Sequence, residues 1–359
     1  MVKIVAYAIA KNEIKHAERW AQTTKDADYR VVVDTGSTDG TQEKLRKLGV
    51  TVYQSHVQPF RFDMARNISL GLLPEDADAC LYLDMDEICE EGFFEKVRRK
   101  WTIETNAAWV SFDTGSTWQK DKLHSRFGWT WRYPCHEVPY WYKGGDARYV
   151  NIPEAKISHN PDQTKSRGQY MDLLELAVKE NPNDARMWTY MCREYYFYQR
   201  WQDCIDAAKK QIACNGWDVE QAAVCRWAGE SEHNLGNKEK ATEWFDKGVQ
   251  ILPLEGESWY GVAVDAYRNN NWARCLDASI NALERVRSMH YCYESAVWDW
   301  KAYDLASIAS YNLNHLDEAL AFARAAVKGD GPETDRIQRN LTFFQKVKNE
   351  RTSTRKSSK

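Results

Sequence analysis

The sequence predicts an α/β domain followed by an all-α repeat domain. Three observations carry this expectation. Strand-like and helix-like segments alternate from Lys3 to about Asn160, strand signals stop by about Gln163, and the chain then repeats a helical pattern to about Lys348. The 359 residues suffice for two hydrophobic cores. A content of 43% hydrophobic and 28% charged residues is that of a soluble globular chain rather than a fibrous or disordered one. The expected division is residues 1–160, 161–348 and a polar, basic tail, 349–359, read as disordered.

In the first domain the strand-like runs are VKIVAYAI, YRVVVDT, VTVYQS, ACLYLDMD and AAWVSFDT, and the segments TQEKLRKLG and FDMARNISLGLL have helical period. The first strands are apolar on both faces, as in a mostly parallel sheet covered by helices on both sides. Such sheets bind ligands at the carboxyl ends of their strands. Polar residues stand at those ends: Asn12 and Glu13, Asp34, then Asp84 and Asp86.

In the second domain GESEHNLGNKEKATEWFDKGVQILP places Gly229, Gly236, Ala241, Phe245 and Pro253 at tetratricopeptide spacing. Aligning on the small residue of the second helix gives four repeats, at Cys204, Ala241, Cys275 and Ala319. Trp201, Lys238, Trp272 and Leu316 precede them by three residues, with extra length before the last repeat. Trp188, Trp201, Trp259, Trp272 and Tyr303 are expected to fill interhelical layers.

A formal net charge of −3 gives no global basic field for sequence-independent nucleic-acid binding. The start MVKIVAYAIAKNE lacks the features of a signal peptide, and no apolar run reaches the roughly 18–20 residues that span a bilayer, so a cytoplasmic protein without stable membrane insertion is expected. The nine cysteines contain no Cys-x-x-Cys pair, which argues for reduced, buried thiols.

Three constellations carry chemistry. Asp84-Met85-Asp86-Glu87 ends an apolar strand, and two carboxylates one residue apart can face one hard divalent cation that neutralises a nucleotide diphosphate. DTGSTDGT, 34–41, reads as a helix-capping loop with Asp39 or Thr38 as cap, while Asp34 precedes the turn and is expected to be free for a base or ribose. In FRFDMARNISL, Arg66 either reaches a nucleobase or phosphate or forms a surface ion pair with Asp63.

The ordered series KNE, DTGSTDGT, FDMARN, LDMDE, SRFGWTWRYPCHEVPYW and ISHNP resembles family-two glycosyltransferases of the GT-A fold, a nucleotide-binding mixed sheet related to the Rossmann type. The resemblance is greatest to the branch with C-terminal tetratricopeptide-like helices, which includes sublancin-type peptide S-glycosyltransferases and lipopolysaccharide-core sugar transferases. It implies that Ala8, Glu13, Asp34 and Arg66 contact the uridine of a UDP-sugar. Asp84 is implied at ribose or metal, and Asp86 and His159 at a Mn²⁺ or Mg²⁺ ion. Lys165 and Arg167 follow as candidates to grip the diphosphate. His136 and Glu137 match the family's His-Glu motif, with Glu137 the candidate base for an inverting transfer of a hexosyl or pentosyl group. Around it, Trp129, Trp131, Tyr140 and Trp141 are either a stacking platform or core.

Two departures bear on the acceptor. Tyr133-Pro134-Cys135 stands where relatives more often have a glycine-containing turn, and few residues separate Asp113 from Arg126. Recognition is therefore expected to lean on the repeats, whose concave faces suit extended chains, and a peptide or protein side chain is the favoured acceptor. A hydroxymethylated DNA base and a glycan stay open, as does a catalytically silent nucleotide-binding scaffold, and a homodimer through the repeats is conceivable.

Overall fold

The computed structural model describes residues 1–113, 117–160, 170–285, 294–329 and 331–357. The chain divides into two compact units, Met1–Ala177 and Val178–Lys359. The first therefore runs beyond residue 160, taking in most of α5.

The first unit contains β1 (Ile4–Ala10), α1 (Ile14–Thr23), β2 (Tyr29–Asp34), α2 (Thr41–Lys47), β3 (Thr51–Gln54), α3 (Phe62–Gly71) and β4 (Ala79–Tyr82). It continues with β5 (Glu87–Cys89), α4 (Phe93–Lys100), β6 (Ala107–Asp113), β7 (Thr117–Ser125), β8 (Trp129–Arg132), β9 (Val138–Trp141) and β10 (Tyr149–His159), and α5 (Tyr170–Glu180) begins within it. Eight strands form one mixed sheet in the order β3-β2-β1-β4-β7-β6-β10-β5, and β8 pairs with β9 separately. The parallel β3-β2-β1-β4 half matches the apolar runs, and β1 is buried on both faces. Ile4, Ala6 and Ala8 pack with Trp20, Leu45 and Phe93 of the helices on one side. Val5 and Tyr7 pack with Leu70 of α3 and Trp131 of β8 on the other. The antiparallel β7 joins this half to β6 and β10.

The second unit is a run of helical hairpins: α6 (Ala185–Phe197) with α7 (Trp201–Ala213), α8 (Asp218–Asn234) with α9 (Lys238–Ile251), and α10 (Gly256–Arg268) with α11 (Trp272–Glu284). A π-helical turn, Val297–Lys301, leads into α12 (Ala302–Asn312), followed by α13 (Leu316–Val327) and α14 (Thr334–Ser357). The repeat register is visible in the backbone. Gln199, Gly236, Asn270 and Asn314 occupy the turn of successive hairpins, all at positive φ. The next amide in each case bonds back to the preceding helix: Arg200 to the Tyr195 carbonyl, Asn237 to Glu232, Asn271 to Ala266 and His315 to Ser310. Cys204, Ala241, Cys275 and Ala319 are all fully buried. Trp188 and Trp259 each donate their indole N–H to the carbonyl of a proline six residues earlier, Pro182 and Pro253. The expected interhelical tryptophans are half-buried rather than sealed in.

One terminal expectation is corrected. Residues 349–357 continue α14 instead of forming a disordered tail. A polar segment extends a preformed helix by one hydrogen bond per residue without a new nucleation cost, and Arg351 also bonds Asn314. The eight described cysteines are free, seven of them buried; Cys292 lies outside the described residues.

Candidate active site

The sheet brings three loops together, since β2 and β4 both flank β1 and all three run in the same direction. After β2, Asp34 turns back on its own loop. Its Oδ1 accepts from the Gly36 and Ser37 amides at 3.0 and 2.8 Å and from Gln42 Nε2 at 2.8 Å, and its Oδ2 accepts from the Ser37 hydroxyl. Asp34 is thus not the free acceptor expected; it is fully buried and fixes the loop. The loop is tied to the end of β1, with Asn12 Oδ1 accepting the Thr38 amide at 2.8 Å and Thr41 Oγ1 accepting the Glu13 amide at 2.8 Å. Asp39 accepts the Ile14 amide at 3.1 Å and the Thr41 amide at 3.0 Å, so one carboxylate serves the first turns of α1 and α2. Glu13 is buried at the start of α1, and Ala8 is fully buried with its methyl in the core, leaving only main chain to offer a ligand.

Arg66 is the hub. It lies on α3 with its side chain 6% exposed and does not pair with Asp63, which Arg61 holds at 2.8 Å. Its Nη2 donates to Asp84 Oδ1 at 2.5 Å, its Nε donates to Glu137 Oε1 at 3.1 Å, and the guanidinium lies 5.2 Å from the centre of the Trp131 ring. Nη1 is buried without an acceptor among the described residues. Burial alone would raise the Asp84 carboxyl, but the charges of Arg66 and Lys122 outweigh it and hold Asp84 well below the usual carboxylate range. At Glu137 burial prevails over Arg66, and its pKa is raised.

The loop that presents Glu137 is strained. Tyr133 and His136 adopt φ of 80° and 51°, so the chain makes the left-handed turns without glycine. Pro134 accepts the Phe62 amide at 2.8 Å, Cys135 is fully buried, and His136 stacks on Tyr170 with centroids 5.5 Å apart. Asn67 holds the adjoining β8 by accepting the Trp131 amide at 2.8 Å and donating to its carbonyl at 2.9 Å. Of the expected platform, Trp129 and Trp131 are core, whereas Tyr140 is exposed.

On the other side of Asp84, β5 pairs antiparallel with β10, placing Glu87 opposite His159. His159 Nε2 consequently lies 3.3 Å from Asp86 Oδ2, and that carboxylate raises the imidazole pKa. The three-ligand set Asp84, Asp86 and His159 is not assembled: among the described residues no three His, Cys, Asp or Glu side chains converge as for a metal. The reason is Arg66, which claims Asp84. Lys165 and Arg167 lie outside the described residues.

Residues 14–159 match the model of glycosyl transferase family 2. They form a family 2 glycosyl transferase domain. No curated protein matches the chain significantly. Among solved structures, MamA is 13% identical with a TM-score of 0.37, over 44% of this chain and 84% of its own. MamA from Desulfovibrio magneticus RS-1 is 16% identical with a TM-score of 0.38, over 48% and 89%. YrrB, a TPR protein described as having an unusual peptide-binding site, is 12% identical with a TM-score of 0.36, over 51% and 83%. Among the described residues no helix is long and apolar enough to cross a membrane.

Sequence reading of the glycosyl transferase domain missed one group. Lys122 on β7 is 1% exposed and donates to Glu87 Oε2 at 2.6 Å and to the Tyr82 carbonyl at 3.3 Å. Glu87 Oε2 in turn accepts the Asp84 amide at 2.9 Å. This buried pair fixes the turn that carries Asp84 and Asp86. Lysine in an unremarkable polar run gives no signal of this burial.

Proposed function

We propose that the transferase domain moves a hexosyl or pentosyl group from a UDP-sugar to a nucleophilic acceptor with inversion at the anomeric carbon. The observation that supports this is the single guanidinium of Arg66 joining Asp84 and Glu137 beside the Asp86–His159 pair, within a family 2 domain. Asp86 and His159 fit a divalent cation, because a carboxylate oxygen and an imidazole nitrogen 3.3 Å apart are donors that Mn²⁺ or Mg²⁺ accepts. Bound there, the ion neutralises charge on the leaving diphosphate. Asp84 is the group for the ribose or for Arg66 rather than a third ligand. Glu137 receives the acceptor's proton, and the burial that raises its pKa makes it a stronger base than an ordinary glutamate. Arg66 holds that carboxylate in position until acceptor arrives.

The favoured acceptor is a peptide or protein side chain, bound with the help of the repeat unit, because helical-hairpin repeats as a class bind extended chains. The decisive experiment measures UDP release from a panel of UDP-sugars, with and without Mn²⁺, in the native protein and in Asp86→Ala. Metal-dependent release lost in the variant is expected, and no release under any condition overturns the reading. Mass spectrometry after incubation with protein, hydroxymethylated DNA and glycan fractions identifies the acceptor, and labelling confined to DNA or glycan replaces the peptide.

A further inference from the structure

The strand register collects an unused cation. On β7, Lys120 pairs with Val110 and Trp118 with Phe112, while Ile157 of β10 also pairs with Phe112 and His159 with Glu87 of β5. Cross-strand partners share a face, and alternate residues along a strand do too, so Lys120, Phe112, His159 and Glu87 project from one side of the sheet, while Lys122 sits at the bulge where Asp121 pairs with Trp109 and Leu123 with Ala108. Phe112 is their common neighbour. Its ring centre is 4.4 Å from Lys120 Nζ and 5.4 Å from Lys122 Nζ, and its centroid is 5.9 Å from that of His159.

The two lysines differ in what they face. Lys122 is committed to Glu87. Lys120 is half-buried and, among the described residues, has no ion pair or hydrogen bond for its ammonium, only the face of Phe112. Burial, and next the neighbouring Lys122 charge, push its pKa down against the longer-range pull of the Glu87, Asp84 and Asp121 carboxylates. With no anion bonded to it directly, that ammonium gains from one that arrives within hydrogen-bond reach.

We propose that Lys120 grips the diphosphate of the donor, across Phe112 from the Asp86–His159 pair. This rests on the nucleotide-sugar reading above. A lysine acts on phosphate as a point charge, so its attraction grows as the leaving diphosphate gains charge. Asp86 and His159 would hold a cation that supplies the second positive charge to the same diphosphate.

The test is calorimetric titration of the full chain with UDP and with uridine in the presence of Mn²⁺, comparing native protein, Lys120→Met and Lys120→Arg after confirming equal melting temperatures. Loss of one charge-assisted contact predicts an increase of about tenfold or more in the Kd of Lys120→Met for UDP. Uridine affinity should stay unchanged, and Lys120→Arg should recover most of the loss. Unchanged UDP affinity in Lys120→Met overturns the assignment, as does an equal loss for uridine, which would make Lys120 a structural residue. Native protein that binds neither ligand overturns the uridine-nucleotide reading itself.

Discussion

At the residue scale the site turns on one arginine serving two carboxylates, and removing it takes the hydrogen-bonded cation from both. For a buried pair such a loss costs about 3–5 kcal/mol. Here Asp84 is 40% exposed and recovers water, whereas Glu137 is nearly enclosed, so Arg66→Met is expected to lower urea-unfolding stability by roughly 3 kcal/mol, the lower end of that range. Unfolding within experimental error of native would show that the bridge contributes nothing. Glu137 carries a pH signature with two opposite signs. Burial raises its folded-state pKa above the unfolded value, so its stabilisation is complete below the ordinary carboxylate range and is lost as pH rises through the folded value. Activity needs the ionised base and so rises with pH over the same window. The expected kcat/KM profile has an acidic limb above the ordinary glutamate range that disappears in Glu137→Gln; a limb that survives the substitution removes Glu137 from this role.

Elements explain which parts of the site were legible. β1, β2 and β4 were readable because their residues are buried on both faces and hence uniformly apolar, and the polar residues at their ends marked the crevice. β7, reading Thr-Trp-Gln-Lys-Asp-Lys-Leu-His-Ser, was hidden because it turns Lys120 and Lys122 toward the site, where function replaces hydrophobic residues with charge. Asp34 was misread for a related reason: sequence shows that a turn follows, but not that the turn spends the carboxylate. Two predictions belong here. Asp39→Ala removes the shared acceptor of α1 and α2 and should cost about 1–2 kcal/mol in chemical unfolding, the range of a helix cap. A loss near zero would mean that water replaces it. Lys122→Met strands Glu87 and should cost about 3–5 kcal/mol, while the double variant Lys122→Met/Glu87→Leu regains much of this. Because Glu87 also accepts the Asp84 amide, the double variant should remain weak in UDP binding, and native UDP affinity there would show that the turn holds without the pair.

On the scale of the whole molecule, the two units are stabilised differently. The first has a sheet with a core on each face, and its family motifs are spread over most of its length. The second repeats one hairpin. Its period was legible because Cys204, Ala241, Cys275 and Ala319 must be small to be fully buried between helices, whereas of the left-handed turn residues only Gly236 was part of the signal and Gln199, Asn270 and Asn314 were not. Packing in the second unit is tight where Phe245 meets the glycines: a Cβ on Gly229 would lie 2.9 Å from its ring and one on Gly261 2.8 Å. Phe245→Ala should therefore leave a cavity costing about 3–5 kcal/mol, confined to the repeats. UDP with Mn²⁺ should act only on the first unit, since a ligand at a hundredfold excess over its Kd adds about 2.7 kcal/mol to the unit that binds it. For a unit of this size that corresponds to about 5–10 °C. Scanning calorimetry is thus expected to show two transitions, one raised by UDP and Mn²⁺ and unaffected by Phe245→Ala, the other lowered by Phe245→Ala and indifferent to UDP. A single transition that moves under both treatments would establish that the two units unfold as one cooperative body.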